Sequence, residues 1–199
     1  FAPEDFSNFQ HQPDPKFTIL HTGSINKDRN PSALWKSLGN YTQNNPDFAA
    51  KLQIRLIGAL DANVRSDLDA AGLLPYTQME NFVPHARVIE ELAACSLLLL
   101  PINNVNNQMG IVPGKVFEYL ASEQPILAIG PSDGDSANIL RSQAGTHIVG
   151  FEDPIEWPAI VEMCANKPNR KDTLTPYSRK ELALKIDHLL NKLTANAKG

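Results

Sequence analysis

The chain has 199 residues, with 18 basic and 22 acidic side chains and a formal net charge of −4. This length suits one domain with a sizeable core, and the charge argues against a nucleic-acid-binding face, which needs clustered lysine and arginine. The content of 42% hydrophobic and 20% charged residues is typical of a globular protein. The apolar run Leu97–Pro101 is too short to span a membrane.

The first sixteen residues read as an interdomain connector, because Pro3, Pro13 and Pro15 punctuate a polar stretch. A chain that opens at Phe1 within a connector is expected to be part of a longer protein. A processed N-terminus is the alternative. The sequence thus predicts a connector over 1–16, a domain over 17–175 and a last helix over 176–199.

Apolar runs and helical periodicities alternate along the chain and are separated by Gly, Pro or polar turns. The predicted strands cover residues 17–21, 53–58, 77–83, 96–101, 125–130 and 147–150. The predicted helices cover residues 31–44, 61–71, 86–95, 115–122, 136–144, 154–166 and 177–195. Six strands alternating with helices predict an α/β fold, a doubly wound, Rossmann-like parallel sheet with helices on both faces.

The cysteines and histidines provide no metal or nucleophile motif. Cys95 and Cys164 are 69 positions apart, and no C-x-x-C, H-E-x-x-H or G-x-S-x-G pattern occurs. We interpret both cysteines as reduced core thiols of a cytosolic protein, and we predict no metal site.

The loop after the first strand is the first candidate ligand site, because doubly wound sheets bind ligands beyond the carboxyl ends of their strands. It contains Gly23 and Ser24, then Lys27 and Arg29, and Asn30-Pro31 is predicted to cap and start the next helix. Glycine permits close backbone approach, and two cations beside a helix start suit a diphosphate. A solvated turn with surface cations is the alternative. The loop lacks the G-x-G-x-x-G pattern of nicotinamide and flavin sites.

A second candidate loop runs from Gly110 through Gly114 into a helix that starts at Lys115. A lysine at a helix N-terminus opposes the helix dipole, and a bound phosphate would offset that cost. Glu118, one turn into the helix, can accept hydrogen bonds from a ribose diol. The alternative is a capping glutamate beside a surface lysine.

Two further candidate loops follow strands of the predicted sheet. The backbone of Val83, Pro84 and His85, after the third strand, could hydrogen-bond to the edge of a nucleotide base. His85 could equally be a surface residue. The turn over residues 130–136 could contact a ligand, or could supply only a helix cap through Asp135 or Ser136.

In order and spacing, these loops resemble the C-terminal half of GT-B glycosyltransferases of the "glycosyl transferases group 1" type. The likeness rests on residues 22–24 (TGS) with 27–31 (KDRNP), on residues 82–85 (FVPH) and, most specifically, on residues 112–128 (VPGKVFEYLASEQPILA). It covers nearly the whole chain. The closing helix is similar to the helix that returns to the N-terminal domain in that family.

The resemblance implies a UDP- or GDP-linked sugar as donor, with no cofactor and no metal. It implies that Lys27 or Arg29, together with Lys115, stabilises the diphosphate leaving group and that Glu118 holds the ribose. The residues that it assigns to donor binding are Gly23, Ser24, Lys27, Arg29, Val83, Pro84, His85, Gly114, Lys115 and Glu118. The acceptor and the catalytic base would belong to the missing N-terminal domain, so no residue of this chain is assigned as a certain catalytic group.

A hexosyltransferase acting on a glycan or lipid-linked acceptor, in polysaccharide or cell-envelope biosynthesis, is the implied activity, and this half is expected to be inactive alone. The implied location is the cytoplasm, with contact to the inner face of the cell membrane only through the full-length protein. Many family members carry a second glutamate eight positions before the ribose glutamate, where this chain has Gly110. The donor sugar and the retaining or inverting outcome therefore stay open.

Two other interpretations remain at the level of sequence. One is a stand-alone Rossmann-like nucleotide-binding or regulatory module without transfer chemistry. The other is a nucleotide-sugar epimerase, which would need acid and base residues in a cleft between two domains.

Overall fold

A computed structural model describes residues 14–166 and 178–196 of the chain. Within these residues the strands are β1 (Phe17–Thr22), β2 (Leu52–Ile57), β3 (Thr77–Glu80), β4 (Leu97–Pro101), β5 (Ile126–Ile129) and β6 (Thr146–Val149). They form one sheet in the order β3-β2-β1-β4-β5-β6, and all neighbouring strands are parallel. The doubly wound, Rossmann-like parallel sheet predicted from the sequence is confirmed.

The helices of the described residues follow the strands in alternation. They are α1 (Ser32–Asn44), α2 (Pro46–Ala49), α3 (Ala62–Ala70), α4 (His85–Ala94), α5 (Lys115–Ala121), α6 (Asp135–Arg141), α7 (Trp157–Ala165) and α8 (Arg179–Asn196). Short 3₁₀ turns lie at Lys27–Arg29, Leu74–Tyr76 and Gln108–Gly110. The short helix α2, which was not predicted, begins at Pro46, and proline suits a first helical position.

Two hydrophobic layers cover the two faces of the sheet. Strand β4 serves both layers, because Leu97 and Leu99 pack on one side while Leu98 and Leu100 pack on the other. The first layer includes Leu34, Trp35 and Leu38 of α1, Val64 and Leu68 of α3, and Trp157 and Ile160 of α7. The second includes Ile89 and Leu92 of α4, Val116, Tyr119 and Leu120 of α5, and Leu140 of α6. Burial on both faces explains the continuous apolar run of this strand.

The third strand is shorter than predicted. It ends at Glu80 rather than at Val83, because its partner β2 pairs only as far as Ile57 and the chain then turns at Gly58, whose φ is +138°. The Gly58 amide donates to the Glu80 carbonyl at 2.8 Å and closes the ladder. Residues 81–84 therefore leave the sheet as a loop.

The predicted cap of α1 is wrong. The helix begins at Ser32 after Pro31, and the side chain of Asn30 does not cap it. Asn30 Nδ2 instead donates to Asp67 Oδ2 at 2.6 Å, and Asn30 Oδ1 accepts from Trp35 Nε1 at 2.9 Å. The side chain thus joins the start of α1 to α3.

The predicted domain boundaries stay predictions. Residues 1–13 of the connector and the 175/176 boundary lie outside the described residues. Of the connector, Asp14 is described at the base of β1, where its carboxylate accepts from Thr18 Oγ1 at 2.7 Å.

Candidate functional site

The switch point of the sheet lies between β1 and β4, where the chain order turns from one side of the sheet to the other. These strands pair only at Ile19 with Leu97 and at Leu20 with Leu98. Beyond Leu20 the strands separate, so their facing backbone groups need other partners. A crevice at such a point is where α/β sheets hold ligands.

Two buried side chains take up the backbone groups that face the crevice. His21 Nδ1 donates to the Leu99 carbonyl at 2.9 Å. The Tyr119 hydroxyl accepts from the Thr22 amide at 2.9 Å and lies 3.3 Å from Thr22 Oγ1. Both rings are fully enclosed, and each supplies the hydrogen bond that a continued β1–β4 ladder would have supplied.

Burial sets the charge state of both rings. It lowers the pKa of His21 to about 4, and the nearby charges of Lys115 and Arg29 lower it further against the effect of the Leu99 hydrogen bond. Burial also raises the pKa of Tyr119 to about 12. At neutral pH the imidazole is therefore neutral and the phenol keeps its proton, so positive charge at this edge comes from lysine and arginine.

Lys115 lies over the backbone of Gly23, at the carboxyl end of β1. A Cβ atom on Gly23, whose φ is +109°, would overlap the Lys115 ammonium and come within 2.5 Å of its Cε. The lysine is half-buried, and its side chain makes no hydrogen bond or salt bridge to any residue in the described part of the chain. Burial lowers its pKa, the charge of Arg29 lowers it further, and Glu118 opposes both.

Arg29 joins the loop after β1 to the loop after β4. Its Nε and Nη2 donate to Asn103 Oδ1 at 2.9 and 2.6 Å, and its Nη1 donates to the Ser24 carbonyl at 3.3 Å. The Asn104 amide also donates to the Asp28 carbonyl at 2.7 Å. The guanidinium is thus held in place beside Lys115.

Apart from Lys27, the sequence-predicted residues divide into three groups. Gly23, Ser24, Arg29 and Lys115 come together at the switch point, and Glu118 lies half-buried on the first turn of α5. Gly114 precedes α5, is exposed, and has open space where a Cβ would lie. Val83, Pro84 and His85 follow the edge strand β3, two strands away from β1.

Lys27 lies on the same cleft as Arg29, at the carboxyl ends of β4 and β5. It lines a cleft of about 190 Å³, and Lys115 is not among the residues that line it. The other lining residues are Asp28, Arg29, Asn30, Pro31, Ser32, Pro101, Ile102, Asn104, Ile129, Phe151 and Glu152. Both cations of the first loop line this cleft, and of the two it is Arg29 whose charge lowers the pKa of Lys115.

Sequence reasoning missed His21, Thr22, Asn103 and Tyr119. The strand prediction included His21, but nothing marked its ring as a backbone partner. Asn103 opens the polar loop after β4, where an amide side chain is common, so its bond to Arg29 gave no local signal. A tyrosine one turn after Lys115 was a detectable cue, since residues four apart share a helix face.

The third loop contacts the second. Ser136 Oγ donates to the Ile111 carbonyl at 2.6 Å, so this hydroxyl does not cap α6, and Asp135 is the first helical residue after Gly134. Asp135 Oδ2 would lie 4.0 Å from a Cβ atom on Gly110. The predicted cap by Asp135 or Ser136 is wrong, because the serine supports the loop before α5 instead.

Within the described ranges, no group of three or more His, Cys, Asp or Glu side chains could hold a metal ion. No helix in the same ranges is long and apolar enough to cross a membrane.

The fold matches solved glycosyltransferases. AviGT4, a glycosyltransferase involved in avilamycin A biosynthesis, superposes with a TM-score of 0.70 at 15% identity, over 98% of this chain and 57% of its own. WaaG, a glycosyltransferase involved in lipopolysaccharide biosynthesis, gives 0.59 at 13% identity, over 87% and 47%. The UDP-forming α,α-trehalose-phosphate synthase from Burkholderia vietnamiensis gives 0.63 at 12% identity, over 92% and 45%.

The chain has a Rossmann-like glycosyltransferase fold of the GT-B kind, and the fold expected from the resemblance is confirmed. The chain spans a little over half the length of AviGT4 and just under half that of the other two structures. No protein-family model and no curated protein matches the sequence.

Proposed function

We propose that this chain is the donor-binding domain of a glycosyltransferase and holds the diphosphate of a UDP- or GDP-linked sugar at the switch point. The observation that carries the proposal is the Lys115 ammonium. It is half-buried, it lies over Gly23 within the influence of the Arg29 charge, and it forms no salt bridge in the described part of the chain, although the charge of Glu118 partly offsets that of Arg29.

A bound diphosphate explains this arrangement physically. Two cations in a partly desolvated place disfavour each other, and an anion between them offsets both the repulsion and the cost of burial. Gly23 leaves its backbone open to close approach. When the sugar is transferred, negative charge grows on the diphosphate, and fixed cations stabilise that charge in the transition state.

The remaining donor contacts follow the same edge of the sheet. Glu118 lies one turn from Lys115 on α5 and would accept hydrogen bonds from the ribose hydroxyls. The base would extend towards Val83 and Pro84, in the loop after β3, and His85, at the start of α4. Gly114 and Ser24 would offer backbone groups to the phosphates.

The complete enzyme would add an acceptor domain from the same polypeptide. We propose a hexosyl transfer to a glycan or lipid-linked acceptor in polysaccharide or cell-envelope biosynthesis, in the cytoplasm. The described chain contributes leaving-group stabilisation through Arg29 and Lys115, and the base that activates the acceptor would come from the other domain. Domain closure would then exclude water from the donor.

Calorimetric titration of the chain with UDP, GDP, uridine and guanosine tests the proposal. We expect saturable binding of one diphosphate, tighter than binding of its nucleoside. Lys115→Ala should weaken the diphosphate by about tenfold or more, since charge-assisted contacts contribute about 1.5–3 kcal/mol, and should leave the nucleoside unchanged.

Lys51→Ala is the matched control. Lys51 is exposed and precedes β2, so it lies at the amino ends of the strands, whereas the candidate site lies at their carboxyl ends. Its affinity for the diphosphate should equal that of the unsubstituted chain. Absence of saturable binding by both nucleotides, or an equal effect of the two lysine substitutions, contradicts the proposal.

A further inference from the structure

Tyr119 and Lys115 attach the same helix to adjacent residues of the same strand. Lys115 begins α5, and Tyr119 follows four positions later, so both side chains lie on one face of the helix, one turn apart. The Tyr119 hydroxyl accepts from the Thr22 amide at 2.9 Å. The Lys115 side chain covers Gly23, the next residue.

Of the two side chains, Tyr119 is held in place more firmly than Lys115. Its ring is fully buried in the layer that α4, α5 and α6 form with the sheet. Its hydroxyl partner is a backbone amide at the point where β1 has separated from β4, so no strand competes for that amide. On the other side of β1, the Gly23 amide donates to the Ile57 carbonyl at 2.6 Å, which holds the strand end in line with β2.

Lys115 has no comparable anchor. No described residue pairs with its ammonium, and four rotatable bonds separate that group from the backbone. Its position over Gly23 therefore depends on where α5 places the lysine backbone. The hydrogen bond of Tyr119 to Thr22 joins α5 to β1 one residue before Gly23.

We propose that Tyr119 is a positioning residue, whose hydroxyl fixes α5 against the end of β1 and so holds the Lys115 ammonium over Gly23 for the diphosphate. The inference rests on the proposed diphosphate site. It assigns to a fully buried phenol control over the affinity for the phosphates.

The first test needs no ligand. In Tyr119→Phe the ring packing is kept, so the chain is expected to fold, and only the hydroxyl is lost. Burial lowers the pKa of Lys115 in the unsubstituted chain. If the hydroxyl holds the lysine in place, the NMR titration of the Lys115 Cε group should move towards that of a solvated lysine in the variant. A role limited to stability would leave this titration unchanged.

The second test is a double-mutant cycle with Lys115→Ala, read as the affinity for UDP or GDP. Tyr119→Phe should weaken the diphosphate about fivefold in the unsubstituted chain and by less than about twofold in the Lys115→Ala background. Binding of the matching nucleoside should not change in either background.

Tyr41→Phe is the matched control, because Tyr41 packs against Phe48 and Trp157 in the other hydrophobic layer. It should alter neither the Lys115 titration nor the affinity. The inference is overturned if Tyr119→Phe leaves the Lys115 titration unchanged, or if its effect on affinity is equal in both backgrounds. If neither nucleotide binds the unsubstituted chain, the proposed function fails, and the Lys115 titration still decides the role of Tyr119.

Discussion

The Lys115 side chain lies in the space that a Cβ atom on Gly23 would occupy. The two residues are 92 positions apart in sequence, and the closeness of β1 and α5 at the switch point brings them together. Glycine is required here on two counts, because its φ of +109° is also unfavourable for other residues.

Gly23→Ala should therefore destabilise the fold and displace Lys115. We expect a loss of about 2–3 kcal/mol in the free energy of unfolding, measured by urea denaturation, together with loss of diphosphate binding. Gly72→Ala is the matched control, because Gly72 has a φ of +70° and open space around its Cβ position. It should cost about 1 kcal/mol.

Measuring Gly23→Ala in the Lys115→Ala variant separates two causes of destabilisation: the overlap of the new methyl group with Lys115 and the strain of a positive φ. In Lys115→Ala the obstacle at Gly23 is gone, so adding Gly23→Ala should cost less than it does in the unsubstituted chain. Equal costs in the two backgrounds would show that the alanine does not meet the lysine.

The buried imidazole of His21 should make the fold sensitive to acid. Its pKa in the folded chain is lowered from 6.5 to about 4, so as the pH falls the unfolded chain takes up the proton first. The associated stability is fully present above pH 6.5 and is lost progressively down to about pH 4. By linkage this amounts to about 3 kcal/mol, measurable as the unfolding free energy against pH.

His21→Gln isolates this contribution, since an amide can still donate to the Leu99 carbonyl but does not titrate. The difference in stability between this variant and the unsubstituted chain should vary with pH across that interval. His147→Gln, at an exposed histidine of β6, should leave the pH profile as it is. A flat difference for His21→Gln would refute the assignment.

A network of charges links β2, β3 and α4 away from the site. Buried Glu91 pairs with Arg55 Nη1, and Arg87 Nη2 lies 2.9 Å from Glu80 Oε2 and 3.6 Å from Glu91 Oε1. Burial raises the pKa of Glu91 against the effect of the two arginines. Its removal would leave Arg55 with Glu80 at 3.8 Å as its acidic neighbour.

Glu91→Gln should lower the free energy of unfolding by about 2 kcal/mol, because it leaves a partly buried guanidinium without its closest carboxylate. Glu90→Gln changes the preceding, exposed residue of the same helix and should cost less than about 0.5 kcal/mol. Urea denaturation compares the two. A cost for Glu91→Gln no larger than that for Glu90→Gln would mean that the pairs contribute nothing net.

A substitution at Gly114 can test ligand binding without changing the stability of the fold. Its φ of −54° suits any residue, and nothing lies within 4 Å of its Cβ position. Gly114→Ala should therefore change stability by less than about 0.5 kcal/mol. If phosphates approach the backbone before α5, the added methyl group should weaken UDP or GDP binding; unchanged affinity would place the phosphates elsewhere.

The element pattern could be predicted because parallel strands buried on both faces read as apolar runs, as in β4. The end of β3 could not, since Phe82 and Val83 are residue types that favour strands and only the turn of the neighbouring strand at Gly58 ends the ladder. The end of an edge strand depends on how far its partner strand pairs with it, and the local sequence carries no information about that partner.

A candidate site can be proposed from the sequence where a residue type carries the chemistry by itself. Gly23 and Arg29 stand in the loop after a predicted strand, Lys115 starts a predicted helix, and these residue types suggest a phosphate. The hydrogen-bond partners of His21 and Tyr119 were not predictable, because they are backbone groups 78 residues and 97 residues away. Those contacts follow from the strand order, which places β4 beside β1.

The half-buried ammonium of Lys115 also has a consequence for covalent chemistry. An amine with a lowered pKa keeps a larger uncharged, nucleophilic fraction near neutral pH than a solvated amine does. A small acylating reagent should therefore modify Lys115 early in a time course. Occupancy of the site should slow that reaction, so the acylation rate of a single lysine would report which nucleotides bind without any assay of sugar transfer.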